Sequence, residues 1–265
     1  MQPQVEHKTT YFMGIPWGYF VVGNGTQGLL VLSGSLGGGR EIACLAARFA
    51  ANRRIIVPEY SPVATMKNCL DGIHRMWQAE GLEKGAVYGG SFGGLLAQCW
   101  VRYYPSLVSH MALSGAACPD PSRASANRRL LRVLPVIPLG LIRRLLRLAL
   151  RRMLAKSVKN RETWMQEYMG LVEKLSKEDL ASRYQIAIDF DENFRFASSD
   201  LPDWPGKILI LEGDVDRIAG KRVRNELRAL YPQATVHTFQ GAGHSAIFTH
   251  TEEWLSVMKE FLGSE

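Results

Sequence analysis

The sequence has no apolar run able to cross a bilayer. The longest candidate, Val133 to Ile142, is about half of the ~20 residues required and is broken by Pro135 and Pro138. The N-terminal residues Met1-Gln2-Pro3-Gln4-Val5-Glu6-His7 lack the basic start, apolar middle and small-residue cleavage site of a secretory signal. Cysteine is scarce. Cys44, Cys69, Cys99 and Cys118 show no CxxC or metal-finger spacing and fall mostly in apolar, helix-like stretches. That pattern argues against a zinc module or a disulfide scaffold; reduced thiols in a cytoplasmic protein are expected, with no metal and no cofactor. Internal repeats and low-complexity linkers are absent as well. What is present, 265 residues with 46% hydrophobic and 22% charged, suits one large α/β domain or a core with an insertion.

Residues 11–22 predict one or two strands ending at a Gly23-Asn24-Gly25 turn, residues 28–32 a buried strand and residues 41–51 a helix. The alternation continues with a strand at 54–57, a helix at 64–80, a strand at 86–88, a helix at 95–104 and a strand at 111–113. It stops at about Ala117. From there to about Ser199 only helices are predicted, before strands at 207–211 and 235–239 with a helix, 221–231, between them. The expected class is α/β, a mostly parallel central sheet flanked by helices. Residues 1–117 and 200–265 would form the core, and 118–199 a helical cap or lid inserted before the last two strands.

Gly89-Gly90-Ser91-Phe92-Gly93 lies where a predicted strand meets a predicted helix. A serine exposed at so sharp a turn takes a strained backbone conformation, and side chains two residues to either side would strike the neighbouring strand and helix. Glycine at 89 and 93 removes the collision. A serine hydroxyl needs a base, a group to orient the base and donors for the oxyanion. His244, in Gln240-Gly241-Ala242-Gly243-His244-Ser245, is the candidate base, because it alone of six histidines follows the last predicted strand on a loop. The acid should leave the preceding strand, where Leu211-Glu212-Gly213-Asp214-Val215-Asp216-Arg217 offers three carboxylates. Asp216 is the first choice and Asp214, expected to brace the loop, the second. The oxyanion donors are the backbone N–H of Phe92 and one from Leu32-Ser33-Gly34-Ser35-Leu36-Gly37-Gly38-Gly39-Arg40, with Ser35 favoured and Leu36 the alternative. That loop lacks the lysine of a phosphate-binding G-x-x-x-x-G-K-[ST], and its spacing fits no dinucleotide fingerprint.

With "LSGSLGGG", "YGGSFGG", "ILILEGDVD" and "GAGHS" in this order, the chain resembles the α/β-hydrolase superfamily over nearly its whole length. Within it, "GLEKGAVYGGSFGGLLAQ", "LASRYQ" and "LYPQATVHTFQGAGH" look like the maspardin-like branch. Two stretches depart from the usual pattern. Ser33-Gly34 stands where many members have His-Gly, and Pro58-Glu59-Tyr60-Ser61-Pro62 replaces a loop that usually contains Asp. The resemblance implies a cofactor-free hydrolase of acyl esters acting through Ser91, His244 and Asp216. Thioesterases, C–C bond hydrolases and non-catalytic binding proteins share the fold, so those readings stay open.

The expected cap carries its own signal. From Ser122 to Lys159 there are nine arginines, two lysines and no acid, a charge of +11 against +7 for the whole chain. At ~100° per residue, Arg143, Arg144, Arg147 and Arg151 of "LIRRLLRLALRRML", Leu141 to Leu154, share one sector, with Arg152 off it and the leucines opposite. This predicts a lid helix with its apolar face over the site and its arginine stems shielding that face. The alternative partner is an anionic membrane surface, which would hold the protein peripherally. Nucleic acid is not expected, since no aromatics interleave with the charge. Leu36 and Phe92 are expected to border a hydrophobic acyl pocket; Trp164 and Tyr168, with Met165 and Met169 on the next cap helix, either line it too or pack as core, the commoner role of such a cluster.

Overall fold

The computed structural model describes residues 4–153, 161–201 and 203–263. Apolar runs at residues 29–32, 55–57, 86–88, 111–113 and 208–211 are each 5% exposed or less, and they form the middle of one sheet. Continuous burial of this kind means that helices cover both faces of the strands. The chain begins with β1 (Val5–Phe12) and β2 (Ile15–Val22), followed by β3 (Gln27–Leu32), α1 (Arg40–Ala46), β4 (Arg53–Pro58), α2 (Met66–Ala79), β5 (Gly85–Gly90), α3 (Phe92–Tyr103) and β6 (Val108–Ser114). Four helices then intervene: α4 (Pro121–Val133), α5 (Leu139–Met153), α6 (Arg161–Lys174) and α7 (Lys177–Asn193). The remainder is β7 (Lys207–Gly213), α8 (Lys221–Leu230), β8 (Thr235–Phe239), α9 (Ala246–Thr249) and α10 (Thr251–Leu262).

The sheet has eight strands in the order β1-β2-β4-β3-β5-β6-β7-β8, with β1 and β2 antiparallel to their neighbours and the rest parallel. Successive residues of a strand enter different cores. Leu30 and Leu32 join one cluster with Trp77 of α2, Trp100 of α3 and Leu227 of α8; Leu29 and Val31 join the other with Ile42 of α1 and Trp254 of α10. Parallel pairing puts the C-terminal ends of β3, β5, β7 and β8 on one edge of the sheet, where ligands bind in open α/β folds.

The expected α/β class and mostly parallel sheet are what the structure has, with shifted element boundaries. Residues 11–22 are the end of β1, the turn and all of β2 in a β1–β2 hairpin closed by Met13-Gly14, both at positive φ (54° and 73°). Met-Gly is not the Asn-Gly or Asp-Gly that marks such turns in a sequence. The helix expected at 41–51 ends at Ala46 in a tighter turn over Ala47–Phe49, and the one expected from 95 begins at Phe92.

The amphipathic helix is oriented differently from the expectation. Arg143 and Arg147 turn inward, where Arg143 Nη2 donates to the Leu175 carbonyl (3.0 Å) and both arginines meet Glu173 of α6. With them Leu139, Ile142, Leu146 and Leu150 face the protein, while Leu141, Leu145 and Leu148 face solvent. The helix is thus rotated from the orientation expected from the leucines: part of its apolar face stays inward, and Arg143 and Arg147 meet a carboxylate on the neighbouring helix. Leu154, the last residue of the expected stretch, lies outside the described residues.

Candidate active site

Ser91 sits between β5 and α3 at φ 52° and ψ −115°, one of two non-glycine residues with positive φ among those described. Such a conformation costs about 1–3 kcal/mol and persists only where the surroundings enforce it. Here the Ser91 N–H donates to Ser114 O at the end of β6 (2.8 Å), and the Ser91 carbonyl accepts from Gly94 N (2.9 Å). A Cβ on Gly93 would stand 2.0 Å from the Leu32 carbonyl oxygen, and one on Gly89 would stand 2.4 Å from the Gly93 carbonyl oxygen. The glycines let α3 lie against β3 and β5 and so aim Ser91 outward.

The loops after β7 and β8 bring the other two candidates to it. His244 Nε2 is 2.9 Å from Ser91 Oγ, and His244 Nδ1 is 2.8 Å from Asp216 Oδ2. The second oxygen of the buried Asp216 accepts from Ile218 N (2.7 Å) and Ala219 N (2.9 Å). Burial by itself would raise the Asp216 carboxyl, but His244 and these two N–H groups outweigh it and hold the carboxyl below the ordinary range. An ionised carboxylate can only accept, so the Nδ1 of His244 carries the proton and Nε2 is free to accept from the Ser91 hydroxyl.

Asp214 does something else: its carboxylate accepts from Gly241 N (2.7 Å), which ties the acid loop to the histidine loop. Glu212, still in β7, pairs with Arg224 and Arg228. The other histidines are engaged elsewhere: His7 with Glu59, His74 stacked on Tyr104, His110 edge-on to Phe261, His237 with Glu253 and His250 with the Gln240 carbonyl. Among the described residues no group of three His, Cys, Asp or Glu side chains is placed to hold a metal ion.

The loop after β3 turns beside the serine. Gly37 N donates to Gly34 O (2.9 Å), making Ser35 and Leu36 the two central residues of a tight turn. A Cβ on Gly34 would lie 4.0 Å from Ser91 Cβ. Phe92 is the first residue of α3, so its N–H has no acceptor within the helix and is left available next to Ser91. Three contacts fix the loop. Tyr60 Oη donates to Ser33 O (2.8 Å), Arg183 Nε to Ser35 O (3.2 Å) and Arg183 Nη2 to Tyr60 O (2.7 Å).

A cavity of about 280 Å³ opens over Ser91 and His244. Its apolar lining includes Val31, Leu36, Ile42, Leu150, Tyr168 and Phe248; its polar lining includes Ser33, Ser35, Ser114 and Ser245. No lysine, arginine, aspartate or glutamate lines it among the described residues. Two of the expected pocket side chains are elsewhere. The Phe92 ring packs on Tyr60, and Trp164 stands behind Phe248 with its ring centroid 4.8 Å away, supporting the wall instead of forming it.

The model of the alpha/beta hydrolase fold family matches residues 61–251, most of the chain and all three of Ser91, Asp216 and His244. The chain belongs to this family. It is 24% identical over 229 residues to a 2-hydroxymuconate semialdehyde hydrolase of Pseudomonas putida, covering 81% of this chain and 79% of that one. Among solved structures, a thermophilic esterase from Thermogutta terrifontis superposes with a TM-score of 0.75 at 22% identity, over 98% of both chains. A meta-cleavage product hydrolase from Pseudomonas fluorescens superposes with a TM-score of 0.70 at 22% identity, over 96% of both chains. None of these three relatives bears on the maspardin-like branch.

The two departures from the usual hydrolase-fold pattern meet at one point. Tyr60, from the loop without an aspartate, holds the carbonyl of Ser33, which stands at the position often taken by histidine. Arg183 completes the arrangement from α7 and was not singled out from the sequence. Its only signal there is spacing, since Ser182, Arg183 and Asp191 share a buried face with Ile186 and Phe190. Arg183 is 7% exposed, and its guanidinium lies 5.1 Å from the Tyr60 ring centroid. Arg183→Met leaves the Ser35 and Tyr60 carbonyls without partners. Stability in urea unfolding is expected to fall by about 2–4 kcal/mol, the cost of two orphaned buried acceptors. Lysine, with no planar fork to span both carbonyls, is expected to recover only part of the loss.

Proposed function

We propose that this chain is a serine hydrolase that cleaves uncharged carboxylic esters with a short hydrophobic acyl group. The observation that carries the reading is the line from Asp216 through His244 to Ser91, with links of 2.8 and 2.9 Å, ending at an apolar cavity. In this scheme Ser91 Oγ attacks the acyl carbonyl carbon as His244 Nε2 takes its proton, and Asp216 stabilises the imidazolium. The Ser35 and Phe92 N–H groups receive the charge that develops on the carbonyl oxygen. Collapse of the tetrahedral intermediate breaks the bond to the alcohol oxygen, which leaves with the proton from His244. Water, deprotonated in turn by His244, attacks the acyl-enzyme and releases the acid and free Ser91. The inserted helices serve as the cap, with Leu150 and Tyr168 forming part of the cavity wall. A cytoplasmic setting fits the four cysteines, which stand as free thiols.

C–C bond hydrolysis by the same residues is the second reading, favoured by two of the relatives above. A substrate of the 2-hydroxymuconate type carries a carboxylate, however, and burying an unpaired anion in a cavity with no lysine or arginine among its described lining residues is costly. Rates on short-chain p-nitrophenyl esters, the matching thioesters and a vinylogous diketone acid compare the three chemistries. The diketone acid is expected to be the poorest by at least about 10²-fold, the factor that goes with ~3 kcal/mol of uncompensated desolvation. A diketone rate above the ester rate would transfer the assignment to C–C hydrolysis. Labelling with a fluorophosphonate tests the nucleophile itself. The adduct should map to Ser91 and be lost in His244→Ala; a folded protein that stays unlabelled would favour a non-catalytic binding role.

A further inference from the structure

The solvent-facing side of α5 is a narrow apolar ridge. At about 100° per residue, Leu141, Leu145 and Leu148 fall within roughly 60° of one another, and they are 46%, 57% and 43% exposed. The end of α4 and the turn that follows add Leu130 (47%), Val133 (44%) and Val136 (79%). Six large apolar side chains this exposed within 19 residues are more than the scattered surface leucines of an ordinary monomer.

The arginines of this stretch split into two groups. Arg123, Arg128, Arg143 and Arg147 are neutralised by Asp191, Glu192 and Glu173. Arg129, Arg132, Arg144, Arg151 and Arg152 are exposed and have no acidic partner among the described residues. Arg144 and Arg151 flank the α5 leucines on one side, and Arg152 falls in line with them near the end of the helix. No acidic residue interrupts residues 122–159.

We propose that the outward face of α5, with the end of α4, docks on the surface of an anionic lipid bilayer. The leucines would enter the boundary between headgroups and acyl chains while the five arginines meet lipid phosphates and carboxylates. Each feature opposes other occupants. A second copy seated on the same face would bring two sets of unpaired arginines together. Nucleic acid would satisfy the arginines and leave the leucines in water. Spanning the bilayer is not involved, because no helix among the described residues is long and apolar enough. The proposal does not depend on hydrolytic activity, although Leu150 on the inward side of the same helix lines the cavity.

Co-sedimentation of the full chain with phosphatidylcholine vesicles, with and without phosphatidylglycerol, tests this directly. Binding is expected to be at least about tenfold stronger on the anionic vesicles and to fall as salt rises. Two double variants separate the contributions: Leu145→Ser with Leu148→Ser, and Arg144→Glu with Arg152→Glu. The arginine pair should weaken binding by about fivefold or more per residue, and the leucine pair should weaken it on the same vesicles. All four side chains lie away from Ser91, so ester hydrolysis in vesicle-free buffer and the unfolding midpoint check that both variants remain folded. Equal binding to both vesicle types, binding to neither, or anionic binding unchanged by the leucine pair would overturn the proposal. So would a wild-type dimer in sedimentation velocity that the leucine pair converts to monomer, since a second copy would then cover the ridge.

Discussion

Ser91→Ala is expected to lower kcat on a short-chain p-nitrophenyl ester by on the order of 10⁶-fold, leaving only the rate that binding and the oxyanion donors provide. The variant should fold normally. Alanine at φ 52° is no more strained than serine, and the backbone bonds from Ser91 N to Ser114 O and from Gly94 N to Ser91 O do not involve the side chain. Calorimetry alongside the rate assay makes the result decisive. An unchanged unfolding temperature with activity lost assigns the chemistry to the hydroxyl, whereas a folded variant with the wild-type rate would end the mechanism proposed above.

Asp216→Asn should lower kcat by about 10⁴-fold, because an amide nitrogen facing His244 Nδ1 favours the tautomer that points Nε2–H at Ser91. Asp214→Asn is the control. Its remaining carbonyl oxygen can still accept from Gly241 N, so only a few-fold change is expected. If Asp214→Asn proved the damaging change, the acid would have to be reassigned. The same pair has an acid-stability consequence. Since the Asp216 carboxyl lies below its ordinary range when folded, its stabilising contribution is complete above the unfolded value of about 3.9. The contribution is lost as pH falls through the lower folded value. Unfolding free energy measured against pH should therefore fall less steeply in acid for Asp216→Asn than for the wild type.

The site was legible where short-range chemistry constrains it. Gly89 and Gly93 are needed because neighbouring backbone leaves no room for Cβ, and His244 and Asp216 follow strands on loops whose length the sequence displays. What could not be read depends on partners distant in the chain. The inward turn of Arg143 and Arg147 is set by Glu173, and the support of the loop after β3 is set by Tyr60 and Arg183. Periodicity gives the angular position of a residue on a helix but not which neighbour that side meets. Trp164 failed for a related reason: aromatic residues at helical spacing look alike whether they form a wall or support one. The hairpin at Met13-Gly14 shows that turn geometry can be imposed by strand pairing on a residue with little preference for it.

The attachment of α7 ties the inserted helices to the loops around Ser91. Ser182 bonds both the N–H and the carbonyl of Val63, Asp189 accepts from Met66 N (2.7 Å), and Arg183 holds the turn beside Ser91. Swinging all four inserted helices aside would break every one of these bonds and strip the Ser35 carbonyl of its Arg183 donor. A route to the cavity that leaves α7 in place keeps all of them. On the mechanism proposed above, the hold on the Ser35 carbonyl would then persist through turnover.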